Sequence, residues 1–125
     1  MTKQISDAEQ EIMEIIWRMS GTARLSAIMD ELKQQGKTWK PNTVLTFLSR
    51  LAEKGLLHVE KNGRNNEYTA AIAREEYQGS QATQFVADVF GGDAKSLIAT
   101  LIQQSNLTDD DIDELSSFWE GKRKA

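Results

Sequence analysis

The hydrophobic spacing changes once within the first 72 residues, from a helical to an alternating pattern. In three successive segments apolar residues recur three and four positions apart, and after Gly55 residues 57–61 alternate between apolar and polar. The first spacing is typical of amphipathic helices and the second of a half-buried strand. Three helices followed by a β-hairpin leave few folds open to the chain.

The ends of these helices carry recognisable signals. Ser6 and Glu9 form an S-x-x-E capping box, in which side chains bond two backbone amides that a helix start leaves unpaired. A second helix is predicted over residues 25–35, before a glycine. The third begins at Pro41, which lacks the amide hydrogen that would be unpaired there, and continues to Lys54.

Residues 62–66 have turn chemistry, and residues 67–69 are predicted to form the returning strand. Helical spacing returns over 74–90, and Asp93 and Thr108 are placed to cap two further helices. We therefore predict a mostly α fold with a small β-hairpin. This order of elements is that of a winged helix, which we predict to form a DNA-binding domain over residues 1–72, followed by a helical dimerisation region over 73–125, for the reasons of charge and polarity given below.

Composition excludes several classes of function. The chain has no cysteine and one histidine, His58, so it lacks thiolate metal sites and a histidine pair. We find no catalytic or phosphate-binding motif, and we expect neither enzyme activity, metal nor cofactor. No apolar run approaches the roughly 20 residues that span a bilayer, so we expect a cytoplasmic protein without direct membrane binding.

Charge is distributed unevenly along the chain. The net charge is −4, yet residues 37–64 contain six lysines and arginines against two acidic residues. A local basic stretch of this kind is compatible with binding of double-stranded DNA.

The third helix presents polar residues on the side opposite its apolar stripe. Short polar side chains near a helix start suit base edges in a major groove, and a leucine suits a thymine methyl group. We predict base contacts from Asn42, Thr43, Leu45 and Thr46. Contacts to the phosphate backbone are predicted from Lys40, Ser49, Arg50, Lys54 and, in the hairpin turn, Arg64.

Two other functions compete with DNA binding. A polar helix face is usually only solvated, but here the preceding helix and the following hairpin favour a DNA-reading role. The alternatives are a winged-helix module that binds other proteins, and a regulator that senses a ligand in an apolar pocket near Trp119. A docking face would be more apolar than this one.

The last three helices are short and amphipathic, so they need a partner to bury their apolar faces. We expect a homodimer. Its predicted interface consists of Phe90, Leu97, Leu101, Ile112, Leu115, Phe118 and Trp119.

Four segments together resemble the BlaI/MecI family of penicillinase and methicillin-resistance repressors, which includes the CopY-type copper repressors. They are ISDAEQEIMEIIW, TWKPNTVLTFLSRLAEKGLL, GRNNEYT and FVADVFGGDAKSLIATLIQQSNLTDDDIDEL. The resemblance implies a homodimer on palindromic operators of resistance genes. It also implies a membrane sensor protease whose signal leads to cleavage in the fifth helix. By position it assigns DNA recognition to Asn42, Thr43, Thr46 and Arg64.

The sequence departs from the antibiotic-resistance members at two positions. Leu45 stands where they have a polar residue, which implies a different operator sequence. Thr100-Leu101 stands at the candidate cleavage position, where the well-known members have Asn-Phe. We therefore expect release by a protease of different specificity or by another signal. The absence of cysteine excludes the copper-binding motif of the CopY branch.

Overall fold

The computed structural model describes residues 5–104 and 106–124, and it confirms the predicted order of helices and hairpin. In chain order the elements are α1 (Asp7–Arg18), β1 (Thr22–Arg24), α2 (Leu25–Gln34), α3 (Pro41–Glu53), β2 (Leu57–Asn62), β3 (Asn65–Ala70), α4 (Arg74–Phe90), α5 (Ala94–Gln104) and α6 (Asp109–Lys124). The chain divides into two compact units, Met1–Ala82 and Thr83–Ala125, and the division falls inside α4.

Local signals account for the start of the first and third helices. The Ser6 hydroxyl accepts a hydrogen bond from the Glu9 amide at 3.2 Å, and the Glu9 carboxylate accepts one from the Ser6 amide at 3.0 Å. Pro41 occupies the first turn of α3. The predicted capping box and the predicted proline start are both confirmed.

The sheet has three antiparallel strands in the order β1-β3-β2. Strand β1 was not predicted. It pairs with β3, and the hydroxyls of Thr22 and Thr69 lie 3.0 Å apart. The predicted five-residue turn is too long, because pairing of β2 with β3 continues to Asn62 and Asn65 and leaves only Gly63 and Arg64 in the turn.

The first unit has one apolar core between its helices and its sheet. Burying a large aliphatic side chain contributes about 1.5–3 kcal/mol, so this core dominates the stability of the unit. Its fully buried members are Ile12, Met13, Ile15, Ile16, Ile28, Leu32, Val44, Leu48 and Leu51. The apolar stripe predicted for α3 supplies three of them, while Phe47 is only partly buried.

The first turns of α4 pack within the first unit. Tyr77 is buried, and its ring lies 5.6 Å from that of Trp17 on α1. Arg74 forms an ion pair of 3.1 Å with Glu14, also on α1. The start of α4 is therefore part of the same packed structure as α1.

The second unit contains the end of α4 with α5 and α6. Asp93 accepts hydrogen bonds from the amides of Lys95 and Ser96, as a capping residue of α5 does. Thr108 and Asp111 form reciprocal bonds of 3.0 and 3.1 Å at the start of α6. Both predicted caps are confirmed. The structure records no buried residue in α5 or α6.

Two further observations concern the described residues as a whole. Within 5–104 and 106–124, no helix has both the length and the apolar character needed to cross a bilayer. In the same ranges, no group of three histidine, aspartate or glutamate side chains could hold a metal ion. His58 is exposed on β2, as its place in the alternation predicts.

Candidate nucleic-acid interface

Helix α3 has one buried face and one polar face. Because Val44, Leu48 and Leu51 are fully buried, the opposite side of the helix points to solvent. That side carries exposed polar side chains over most of the roughly 20 Å of helix, enough to lie in a major groove. The exposed predicted contacts on and just before α3 are Lys40, Asn42, Thr43, Thr46, Ser49 and Arg50.

The Thr46 hydroxyl is oriented by its own helix. It donates a hydrogen bond of 3.0 Å to the backbone carbonyl of Asn42. Since the proton is used in this way, the exposed hydroxyl is left as an acceptor, and the methyl group is its other exposed feature. In this arrangement Thr46 suits a base amino group or a thymine methyl group.

Leu45 lies deeper than the other predicted base-contacting residues. It is partly buried against the core, and it lines a groove of about 350 Å³ between α2, α3 and the hairpin. The groove is lined by Arg24, Leu25, Ser26, Met29, Pro41, Leu45, Arg64, Asn65, Asn66 and Tyr68. Leu45 is therefore placed to make an apolar contact with a group that enters this groove.

Arg64 borders the same groove because the hairpin turn is tight. Gly63 has a φ of 68°, which a glycine adopts without strain at the first position of a two-residue turn. Arg64 therefore occupies the tip, where it is exposed. Below the tip, Glu67 accepts a hydrogen bond from Asn62 at 3.2 Å and lies 3.7 Å from Arg24. These contacts link both strands of the hairpin to β1.

Aromatic contacts hold the segment before α3. The rings of Trp39 and Phe47 meet edge to face at 5.8 Å. The Lys37 ammonium lies 5.6 Å from the centre of the Trp39 ring and 3.0 Å from a carboxylate oxygen of Glu11. Trp17 and Trp39 thus both pack against the core, and Lys40 follows directly on this fixed segment.

Lys54 differs from the other predicted phosphate contacts because its side chain is bonded to a buried carboxylate. Its ammonium bonds both carboxylate oxygens of Glu9, at 3.0 and 3.1 Å, and Glu9 is only 2% exposed. Burial by itself raises the pKa of Glu9. The hydrogen bonds from Ser6 and from Lys54 outweigh that effect, and the pKa lies below its usual value. The Lys54 side chain is thus bonded to another residue of the same domain.

Three residues of this region had not been predicted from the sequence. Arg24 and Ser26 line the groove, and Glu9 was recognised only as a helix cap. A three-residue strand has no detectable period, so nothing in the sequence pointed to the position of Arg24. The partner of Glu9 lies 45 residues away along the chain, beyond any local pattern.

The predicted dimer residues lie in the second unit. Phe90 and Leu97 are partly buried, and the rings of Phe85 and Phe90 lie 5.9 Å apart. The other five residues are between 39% and 68% exposed, and they are Leu101, Ile112, Leu115, Phe118 and Trp119. Several of them line an apolar groove of about 600 Å³ between α5 and α6. Trp119, predicted to pack, is largely open in the single chain.

At the candidate cleavage position, the peptide bond lies within α5. Thr100 is partly buried, and its hydroxyl donates to the Ser96 carbonyl at 2.8 Å. Leu101 is 45% exposed.

Three helices followed by a hairpin, with a polar, solvent-facing side on the third helix, define a winged-helix DNA-binding protein. The sequence profile described as "Penicillinase repressor" matches residues 5–121. The chain therefore belongs to the penicillinase repressor family, the BlaI/MecI family of repressors, and the predicted family resemblance is confirmed.

Individual relatives cover nearly the whole chain. It is 33% identical to the penicillinase repressor of Bacillus licheniformis over 117 residues, which are 94% of this chain and 90% of that protein. It is 31% identical to the methicillin resistance regulatory protein MecI of Staphylococcus aureus strain N315, over 94% of each chain.

Two solved structures match a little under two thirds of the chain. The solution structure of the DNA-binding domain of the repressor BlaI aligns with a TM-score of 0.53 at 40% identity, over 62% of this chain and 94% of that one. Monomeric BlaI of Bacillus licheniformis, in complex with the blaP half-operator, aligns with a TM-score of 0.51 at 40% identity. That alignment covers 62% of this chain and 92% of the BlaI chain.

Proposed function

We propose that this chain is a transcriptional repressor, without enzymatic activity, that binds a palindromic DNA operator as a homodimer in the cytoplasm. The observation that carries the proposal is the exposed polar face of α3 beside a groove that Arg64 borders from the hairpin tip. Helix α3 offers side chains suited to base edges, and Arg64, across a groove that Pro41 and Leu45 line from α3, is a cation suited to the backbone.

The proposal gives each polar residue of this surface a role. Asn42, Thr43 and Thr46 contact base edges from the start of α3, and Leu45 contacts a thymine methyl group at the groove floor. The phosphate backbone is contacted by Lys40, Ser49, Arg50 and Arg64. The half-operator complex of the related BlaI domain supports this assignment, because the two domains are 40% identical.

The exposed apolar surface of the second unit supports the proposed homodimer. Its exposed leucine, isoleucine and aromatic side chains form more apolar surface than an isolated helical hairpin can hide. We assign this surface, including the groove near Trp119, to a second copy of the chain. A two-fold dimer would place its recognition helices about 34 Å apart, one helical turn of DNA.

Release from DNA is proposed to differ from that of the antibiotic-resistance members. Thr100-Leu101 lacks the carboxamide and the aromatic ring that an Asn-Phe-directed protease would bind. The proposed partner is a membrane sensor protease, or a protease that it activates, whose specificity is not directed at Asn-Phe. Otherwise another signal acts on the dimer.

Selection of DNA by the full-length chain tests the proposal. The chain is mixed with fragments of its own genome, bound fragments are sequenced, and the affinity for the selected duplex is measured by fluorescence anisotropy. We expect a shared palindrome, and tight binding that weakens steeply with salt, by about 0.9 in log–log slope per contacted phosphate. Retention of no common sequence, or salt-independent binding, contradicts the proposal and favours a protein-binding module.

A further inference from the structure

A partly buried ion pair joins the end of α3 to the start of α1. Lys54 follows the last residue of α3, and its ammonium bonds both carboxylate oxygens of Glu9. The Lys54 side chain is only 27% exposed and that of Glu9 only 3%. Charge-assisted bonds in such surroundings are stronger and more directional than exposed ion pairs.

The Glu9 carboxylate is itself held in place. One of its oxygens accepts the Ser6 amide at 3.0 Å within the capping box of α1. Its charge also acts on Tyr77 in the first turns of α4, where burial first and Glu9 second raise the pKa of the phenol. Helix α1 thus holds one fixed carboxylate, and Lys54 connects the end of α3 to it.

Apolar packing alone fixes the position of α3 less sharply. Contacts of Val44, Leu48 and Leu51 are non-directional, whereas hydrogen bonds also depend on the angle and distance between two particular groups. Two bonds to a fixed carboxylate restrict both rotation and sliding of the helix. Base contacts depend on this restriction, because a displacement of about 1 Å removes a hydrogen bond.

We propose that Lys54 is a positioning residue, which acts through Glu9 to fix the rotation and axial position of the recognition helix, and that it does not contact DNA phosphate. The inference rests on the proposed DNA-binding function. Two of the three N–H donors of Lys54 are already bonded to Glu9, and a phosphate contact that drew Lys54 away from Glu9 would leave a buried carboxylate without its cation, which is strongly unfavourable. The free energy gained from an exposed contact with a phosphate is smaller than this cost.

The test compares operator and unrelated DNA. Full-length Lys54→Met, Glu9→Gln and the double variant are titrated by fluorescence anisotropy, over a series of salt concentrations, with the selected operator and with a random duplex of equal length. We expect each variant to lose about tenfold in operator affinity, as one misplaced base contact would cause. Affinity for random DNA and the salt slope should stay unchanged. The double variant should be no weaker than either single one.

Arg64→Ala serves as the comparison for a true backbone contact, and it should reduce the salt slope by about 0.9. The same reduction in Lys54→Met, with equal loss on both duplexes, would overturn the inference. So would wild-type operator affinity in all three variants. If a single variant fails to fold, the double variant, which leaves no charge unpaired, decides between these outcomes. Failure of the wild-type chain to prefer any operator would contradict the proposed function itself.

Discussion

The indole nitrogen of Trp17 donates a hydrogen bond of 2.9 Å to the backbone carbonyl of Ile72. This bond connects α1 with the segment between β3 and α4, 55 residues further along the chain. The neighbouring contact between the rings of Trp17 and Tyr77 secures the first turns of α4. Trp17 thus fixes both the segment that follows β3 and the start of α4 against α1.

Trp17→Phe is expected to destabilise the chain by about 1–2 kcal/mol, because it removes this bond and leaves the Ile72 carbonyl short of a partner. Urea unfolding followed by circular dichroism measures the change. Trp39→Phe is the matched control, since its ring contact with Phe47 is partly retained, and it should cost less. Equal losses in the two variants would show that ring volume, not the hydrogen bond, is responsible.

Acid should remove the contribution of Glu9 to stability. The folded chain lowers the pKa of Glu9 below its usual 4.5, so the fold favours the ionised carboxylate. That stabilisation is complete above pH 4.5 and is lost as the pH falls through the lower pKa of the folded state. Glu9→Gln should therefore be less stable than the wild type at pH 7, with a difference that narrows on acidification.

Urea unfolding of both proteins between pH 7 and pH 3 measures this difference. The other carboxylates titrate in both chains, so their effects cancel. A difference in unfolding free energy that stays constant over the whole range would contradict the assignment to the Glu9 charge.

Two variants separate base contacts from backbone contacts. Thr46→Ala removes an exposed acceptor and methyl group, so it should reduce discrimination between operator and random DNA by about 1–3 kcal/mol. Arg64→Ala should weaken binding to both duplexes about equally. Lys33→Ala, an exposed lysine of α2 that does not line the groove, is the control and should bind like the wild type. A uniform effect of Thr46→Ala on both duplexes would remove Thr46 from the base-contacting set.

Local patterns predicted the fold well because its signals are local. The capping box at Ser6, the proline at the start of α3 and the caps at Asp93 and Thr108 each depend on neighbours within a few residues. Strand β1 carries no such signal. It forms because Thr22–Arg24 pairs with β3, more than 40 residues later.

The candidate site was predicted less completely than the fold. The side of α3 that bears Asn42 and Thr46 follows from helical spacing alone. The spacing could not show that Leu45 is partly buried, since the hairpin and α2 determine the groove around it. Nor could it show that Lys54 pairs with Glu9, because the sequence identified Glu9 only as a helix cap and Lys54 only as an exposed cation.

A single charge in the second unit should separate the two subunits of the proposed dimer. Leu115 lies on the exposed apolar face of α6, so Leu115→Asp places a carboxylate where the partner copy would bury it. We expect a monomer by analytical ultracentrifugation, with an unchanged circular dichroism spectrum and much weaker operator binding. Ser117→Asp, on the opposite side of α6, is the control and should remain a dimer. A wild-type chain that sediments as a monomer at micromolar concentration would contradict the proposed assembly.

The last prediction concerns cleavage at Thr100-Leu101. A protease that binds an asparagine and a phenylalanine would lose matched contacts at both positions, each worth about tenfold or more in specificity. The bond also lies inside α5, where the Thr100 hydroxyl is bonded to the Ser96 carbonyl, so cleavage requires local unfolding. In cells that contain an Asn-Phe-directed sensor system and are exposed to a β-lactam, we expect the wild-type chain to stay intact on an immunoblot. The paired substitution Thr100→Asn with Leu101→Phe should restore a fragment ending near residue 100. A cut after Thr100 in the wild-type chain would contradict this prediction. It would indicate that the chain is released from DNA by the same proteolysis as the resemblance implies for the antibiotic-resistance members.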